Sequence, residues 1–419
     1  MSLLKYEGKK ISILLLLILA GEAIFFLPFV LARIFRPTLL IVFNITNFEL
    51  GTCFSIYGIV AMASYFFGGP LADRFPSRNL IAIALWSTAL GGGVMAMAPS
   101  NNILAVLYGY WGFTTIFLFW AALIRATREW GGPDFQGRAF GLLEGGRGLT
   151  AALIGSLALF IFSSFMPVET DIAIQQKRID SFQIVILTTS IIVFFSGLLV
   201  WYFIPKKITK VDKTGNPSSI RNVIKLMRMP GIWMQAIIIV CAYVGYKITD
   251  DYSLYANQVL GFDEINAAGV GTMALWMRPV FAVMAGFFAD RFNGSKVVIW
   301  CFILMLMGGM LIFLGIFDKI VWLILIIMAT TLAGVYGIRG IYFAVMQEAR
   351  IPLISTGTAV GIISIVGFTP EVFMSPLMGF LLDEFPGATG HQYVFLVLSF
   401  FAFVGLMVSI NFRRLVKNY

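Results

Sequence analysis

Eight charged side chains lie inside long apolar stretches of this chain: the cations Arg33, Arg147, Lys247, Arg278 and Arg339, and the acids Glu22, Glu144 and Glu371. An ionised group held in hydrocarbon costs about 2.5 to 3.5 kcal/mol on insertion scales, so each is a candidate for function. Cations in such a place can hold an anionic group, and carboxyl groups in apolar surroundings can take up and release a proton. Structural roles compete with these. Glu144 and Arg147 are three apart, share a helix face and can neutralise each other. Lys247 can pair with Asp250 or Asp251 about one turn away. Arg33, followed by Arg36 and Pro37, can snorkel to a membrane rim. Arg278 and Arg339 have no acid within a turn, so an anionic substrate or Glu371 is expected to supply their partner. Glu22 and Glu371 read as isolated acids.

Other chemistries find no footing. No nucleophile and base set, metal motif or Walker-type loop is present, so neither enzymatic activity nor a cofactor is expected. Cys53, Cys241 and Cys301 all fall in apolar stretches, and an odd number of buried thiols does not form a disulfide framework. His391, the single His, is read as an incidental exposed residue beside a loop.

The elements that position these groups follow from composition. Of 419 residues, 59% are hydrophobic and 12% charged, and the mean hydropathy is +0.90; a soluble domain carries about 25% charged residues. About 20 apolar residues cross a bilayer as a helix. Twelve such stretches are read between residues 11 and 412, too continuous for the alternating pattern of a barrel, and backbone in hydrocarbon then requires helices. The first stretch, although preceded by Lys5, Lys9 and Lys10, is interrupted by Glu22 and lacks a cleavage site, so it is read as a retained helix. The segment 205–229 is polar and basic and reads as a linker between a first half, 1–204, and a second, 230–419. With both termini and this linker in the cytoplasm, 21 of the 30 Lys and Arg residues fall on the cytoplasmic side, as short cytoplasmic loops require. The net charge of +9 thus reads as topology and lipid contact, not nucleic-acid binding.

The two halves are copies. Ala72-Asp73-Arg74-Phe75 returns as Ala289-Asp290-Arg291-Phe292, 217 residues on, each preceded by a Gly (Gly69, Gly286). Gly137 and Gly141 return as Gly357 and Gly361 at an offset of 220, and are expected to let helix backbones approach closely. A parallel repeat relates its halves by an axis along the membrane normal, with a cavity between them. On that basis Arg33 and Lys247, 40 and 43 residues before Asp73 and Asp290, are expected to face one another at similar depth.

From Gly69 to Arg78 the chain reads Gly-Pro-Leu-Ala-Asp-Arg-Phe-Pro-Ser-Arg, which resembles the hallmark loop of the major facilitator superfamily, G-x-L-A-D-R-x-G-R-R. Pro76 and Ser77 depart from it, and are closer to the D-R-x-x-P-R variant of organophosphate antiporters. The resemblance covers nearly the whole chain. It implies an all-α membrane protein of twelve helices in two pseudo-symmetric six-helix bundles, working by alternating access as a multi-pass, inner-membrane-type monomer. It also implies basic residues on the first and seventh helices that bind an anion. Gly69, Asp73, Arg74, Arg78, Asp290 and Arg291 become candidates for a conformational gate, with Asp73 reaching the N-terminus of a helix beginning near Ser355. The expected partners are a small organic anion, such as a sugar acid, carboxylate or phosphorylated metabolite, and protons. A neutral sugar or drug porter is the alternative, favoured if the buried cations are satisfied by internal acids; a non-transporting sensor is a third reading.

Overall fold

The computed structural model describes residues 2–131, 136–166, 174–206, 224, 226–316, 320–342, 345, 348 and 356–417. Among these the chain is helical throughout, with no strand. Eleven helices are long and apolar enough to cross a membrane, and the bent pair Arg36–Phe43 and Asn47–Tyr65 (98°) brings the number to twelve.

In the first half the helices are α1 (Ser2–Phe25), α2 (Leu31–Ile34), α3 (Arg36–Phe43), α4 (Asn47–Arg74), α5 (Ser77–Ala96), α6 (Asn101–Gly112), α7 (Ala121–Gly131), α8 (Gln136–Phe165) and α9 (Ile174–Phe203). Two π-helical segments interrupt the run, Phe26–Val30 between α1 and α2 and Phe113–Trp120 between α6 and α7. Pro28 lies in the first, where its missing N–H disturbs the regular ladder. The second half holds α10 (Pro230–Ile248), a 3₁₀ turn at Thr249–Asp251, α11 (Tyr252–Gln258), α12 (Glu264–Phe292), α13 (Gly294–Phe313), α14 (Val321–Ile341), α15 (Thr356–Gly367), α16 (Pro370–Glu384) and α17 (Ala388–Lys417).

Helix ends follow local chemistry. Asn44, in the left-handed region at φ 50°, closes α3. Thr46 then opens α4 with a capping box: its hydroxyl accepts from the Glu49 N–H at 3.2 Å, and the Glu49 carboxylate accepts from the Thr46 N–H at 2.8 Å. Two otherwise orphaned donors are thereby satisfied.

By contact the chain forms two units. The first comprises residues 1–209 and 250–276; the second comprises 210–249 and 277–419. Each is held by close helix packing. In the first, Gly112 lets α6 meet α4, since an added Cβ would lie 2.7 Å from the Tyr57 carbonyl. In the second, a Cβ at Gly340 would lie 2.9 Å from the Ala282 carbonyl, so α14 packs on α12 by backbone. Gly141 and Gly361, read from the sequence as packing glycines, have nothing within 4 Å of an added Cβ; both face open space. Gly137 lies in α8 and Gly357 in α15, with side-chain positions outside the description.

His391 corrects the sequence reading too. It is fully buried in the first turn of α17. The three cysteines are buried and free.

Candidate functional site

In the first unit, Arg147 on α8 draws α1 to itself. Its Nε lies 3.2 Å from Glu22 and donates to the Gly21 carbonyl at 2.9 Å, while Nη1 donates to Glu144 at 2.7 Å. The guanidinium rests against the rings of Phe25 (5.5 Å) and Trp120 (5.7 Å). Phe25 precedes the first π-helical segment and Trp120 ends the second; such segments recur at functional sites. The Glu144–Arg147 pair is as the spacing predicts. Glu22 is not isolated: it is 3% exposed and held by Arg147. Glu144 is half-exposed.

Arg33 on α2 is also taken. Its Nε donates to Asp250 Oδ1 at 2.6 Å, with both side chains at most 2% exposed. Arg33 therefore does not snorkel, and Asp250 and Asp251 are buried. Nearby, Arg36 Nε donates to Asn47 Oδ1 at 3.0 Å. A further carboxylate, Glu264 at the start of α12, accepts from Arg178 of α9 at 2.7 Å and from Thr38 of α3 at 2.6 Å. All these contacts lie toward the Asn47 end of α4, the end away from Asp73.

In the second unit, three side chains of α10 present one face: Tyr243, Tyr246 and Lys247, at i, i+3 and i+4. Lys247 has an acidic partner on another helix. Its Nζ lies 3.2 Å from Glu371 Oε1, and the Tyr243 hydroxyl donates to Glu371 Oε2 at 2.5 Å. Glu371, read as isolated, thus has both oxygens engaged. Arg339 of α14 lies over the Tyr246 ring at 3.8 Å and near Tyr243 at 5.9 Å. Its Nη1 is buried without a hydrogen-bond partner. A buried guanidinium N–H without an acceptor is costly, and Glu371 is committed elsewhere.

The gate candidates are only partly described. Gly69 and Asp73 lie in α4, but their side chains, and Ser355, fall outside the described residues. Arg74, Asp290 and Arg291 are exposed. Arg78 is half-buried with its guanidinium 4.9 Å over Trp201. The Ala72 carbonyl accepts from Arg125 Nη1, and Arg125 also pairs with Glu129 at 2.9 Å.

Asp250, Glu264 and Arg178 were not singled out from the sequence as site residues. For Asp250 a signal existed, because it stands 217 residues after Arg33, the repeat offset itself. For Glu264 and Arg178 none did, since residues at span ends read as ordinary loop charges.

Groups poised in this way are found on a scaffold shared with known proteins. The chain is 24% identical to the inner membrane protein YihN of Escherichia coli (strain K12) over 418 residues, covering 98% of this chain and 97% of that protein. It is 25% identical to the inner membrane protein YqcE of the same organism over 387 residues, covering 89% and 87%. Its fold is similar to that of a D-xylose-proton symporter, with a TM-score of 0.74 at 15% identity, over 96% of this chain and 97% of that one. Residues 11–369 match the family model of the Major Facilitator Superfamily, and the chain, a multi-pass membrane transporter and not an enzyme, belongs to that family.

Proposed function

We propose that this transporter moves a small organic anion by alternating access, with Arg339 as the contact to the anionic group and Arg278 as the supporting cation. The observation that carries this reading is the Arg339 guanidinium, stacked on Tyr246 with Nη1 buried and without an acceptor, while the acid beside it is held by Lys247 and Tyr243. A planar fork packed on an aromatic ring is oriented to take a carboxylate or phosphate in bidentate fashion. Arg33 and Lys247, the cations expected from the sequence to hold the anion, are secondary here, because each has an internal acid. Glu22 and Glu371 are the leading carriers of a coupled proton, as both are buried beside a cation whose charge would rebalance on protonation; Glu144, half-exposed, ranks behind them. Transport then runs as proton symport or anion exchange. The orientation has both termini and the 205–229 linker in the cytoplasm, and the working form is a monomer.

A second reading has a specific observation behind it. Arg33, Arg147 and Lys247 are all paired with internal carboxylates, which is the condition that favours a neutral sugar or drug. A thermal-shift screen of the purified protein against carboxylates, sugar acids, sugar phosphates and neutral sugars separates the two, since a ligand that binds the folded form raises its melting temperature. Stabilisation by anions that is lost in Arg339→Ala supports the anion reading. Stabilisation by neutral sugars alone overturns it.

A further inference from the structure

Residues 250–276 belong by sequence to the second half of the duplication and by contact to the first unit. Both ends of this segment coincide with breaks in helical regularity. At its start, α10 gives way to the 3₁₀ turn Thr249–Asp251. At its end, Pro279 lies inside α12, three residues past Trp276. A proline within a helix removes the hydrogen bond to the residue four before it and opens the ladder there, so both junctions are places where the backbone can turn.

Between those junctions the segment is fastened at three depths. At the rim, Glu264 Oε1 receives both Nε and Nη2 of Arg178 at 2.7 Å, and Oε2 receives the Thr38 hydroxyl at 2.6 Å. One carboxylate thus ties α12 to α9 and α3. Deeper, Asp250 holds Arg33. Along α12, Gly271 lies against Ile34, where an added Cβ would come within 3.0 Å of its Cα, and Trp276 Nε1 donates to Ser156 Oγ at 2.9 Å. From Glu264 to Trp276 is about 18 Å of helix at 1.5 Å per residue, so the fastened stretch reaches well into the membrane.

We infer that residues 250–276 form a hinged segment that closes the Asn47 end of the first unit, and that Glu264 is the positioning residue that latches it. The rim contact differs from the deep one in what it can do. The Arg178 and Glu264 side chains are 17% and 13% exposed, against 1% and 2% for Arg33 and Asp250. Water can replace the partners of the rim pair as it parts, whereas the deep pair separates only into a desolvated interior. Release at Glu264 therefore comes first, and the buried pair follows once solvent has entered. The inference rests on alternating access but not on the charge of the substrate.

Spin labels on Phe48 and Gln258, both exposed at this end, read the closure without any ligand. The parent protein is expected to show one predominant short distance. Glu264→Ala is expected to raise the population at longer distance at least threefold, and the exchange Arg178→Glu with Glu264→Arg is expected to restore the parent distribution, which a merely structural loss of packing would not permit. Thr38→Val, a small change, is expected to give an intermediate shift and keeps the test open if Glu264→Ala fails to fold. An unchanged distribution in both Glu264→Ala and Thr38→Val overturns the latch. A longer distance in Glu264→Ala that the exchange leaves in place overturns it as well.

Discussion

Arg33 and Asp250 are joined at 2.6 Å across 217 residues of chain, the same interval that separates the two Ala-Asp-Arg-Phe copies. Each is therefore the counterpart of the other in the duplication. In a parallel repeat, counterparts lie at equal depth, and here one position carries a cation and its copy an acid. The same interchange recurs between spans. In the first unit Glu22 on α1 pairs with Arg147 on α8; in the second, Lys247 on α10 pairs with Glu371, whose helix α16 occupies the corresponding place in its half. The acid stands on the first span in the first unit, and the base on the corresponding span in the second.

The Arg33–Asp250 pair should be costly to break from one side. Arg33→Leu or Asp250→Leu alone leaves a buried charge and is expected to destabilise by about 3 to 5 kcal/mol. The double replacement should cost clearly less than the sum, because the two residues are in contact. Thermal melting of the three variants in one detergent measures this. Additive losses would show that the pair does not act as a unit.

Arg339→Ala is expected to weaken binding of the anionic ligand found by thermal-shift screening by at least tenfold, given about 2 to 5 kcal/mol for a buried charge-assisted contact. Arg339→Lys should recover little, as an ammonium lacks both the fork and the stack on Tyr246. Equilibrium binding by isothermal calorimetry checks both, and undiminished affinity in Arg339→Ala would remove it from the site.

If transport is proton-linked, Glu→Gln at one of positions 22, 144 or 371 should abolish uphill uptake while sparing exchange of substrate across the membrane. Counterflow and concentrative uptake in proteoliposomes distinguish the two activities. Concentrative uptake that persists in all three variants assigns coupling to another ion.

Single cysteines placed in the 205–229 linker should resist a membrane-impermeant thiol reagent in intact cells and react after lysis. Background from Cys53, Cys241 and Cys301 is expected to be small, since all three are buried. Ready labelling of the linker from outside would reverse the orientation.

Much of the scaffold was legible because its signals are long-range in composition and short-range in sequence. Apolar runs of span length and a repeated tetrapeptide need no knowledge of packing, and the capping box at Thr46 and Glu49 is written within four residues. Charge partners were harder. Counting back to each Asp-Arg copy sets Lys247 opposite Arg33 with a mismatch of three residues, whereas the repeat offset of 217 leads from Arg33 to Asp250. Glu22 and Glu371 read as isolated because their partners lie on other helices, 125 and 124 residues away. The glycines were misread for a related reason. Spacing says that Gly141 could admit a neighbouring backbone, but only the arrangement of helices says whether one comes.

The internal pairing has an electrical consequence. A charge carried across a potential of 100 mV is worth about 2.3 kcal/mol, yet a reorientation that carries Arg147 with Glu22, or Lys247 with Glu371, moves plus and minus together. Voltage has no grip on these pairs. The grip that exists lies with cations such as Arg339, whose guanidinium no carboxylate holds in the contacts described above. With an anion seated there the charges cancel, and the field acts chiefly on the empty carrier as it returns. On the proposed anion reading, a symporter built this way is driven by membrane potential through its unloaded half-cycle, a step that anion exchange lacks.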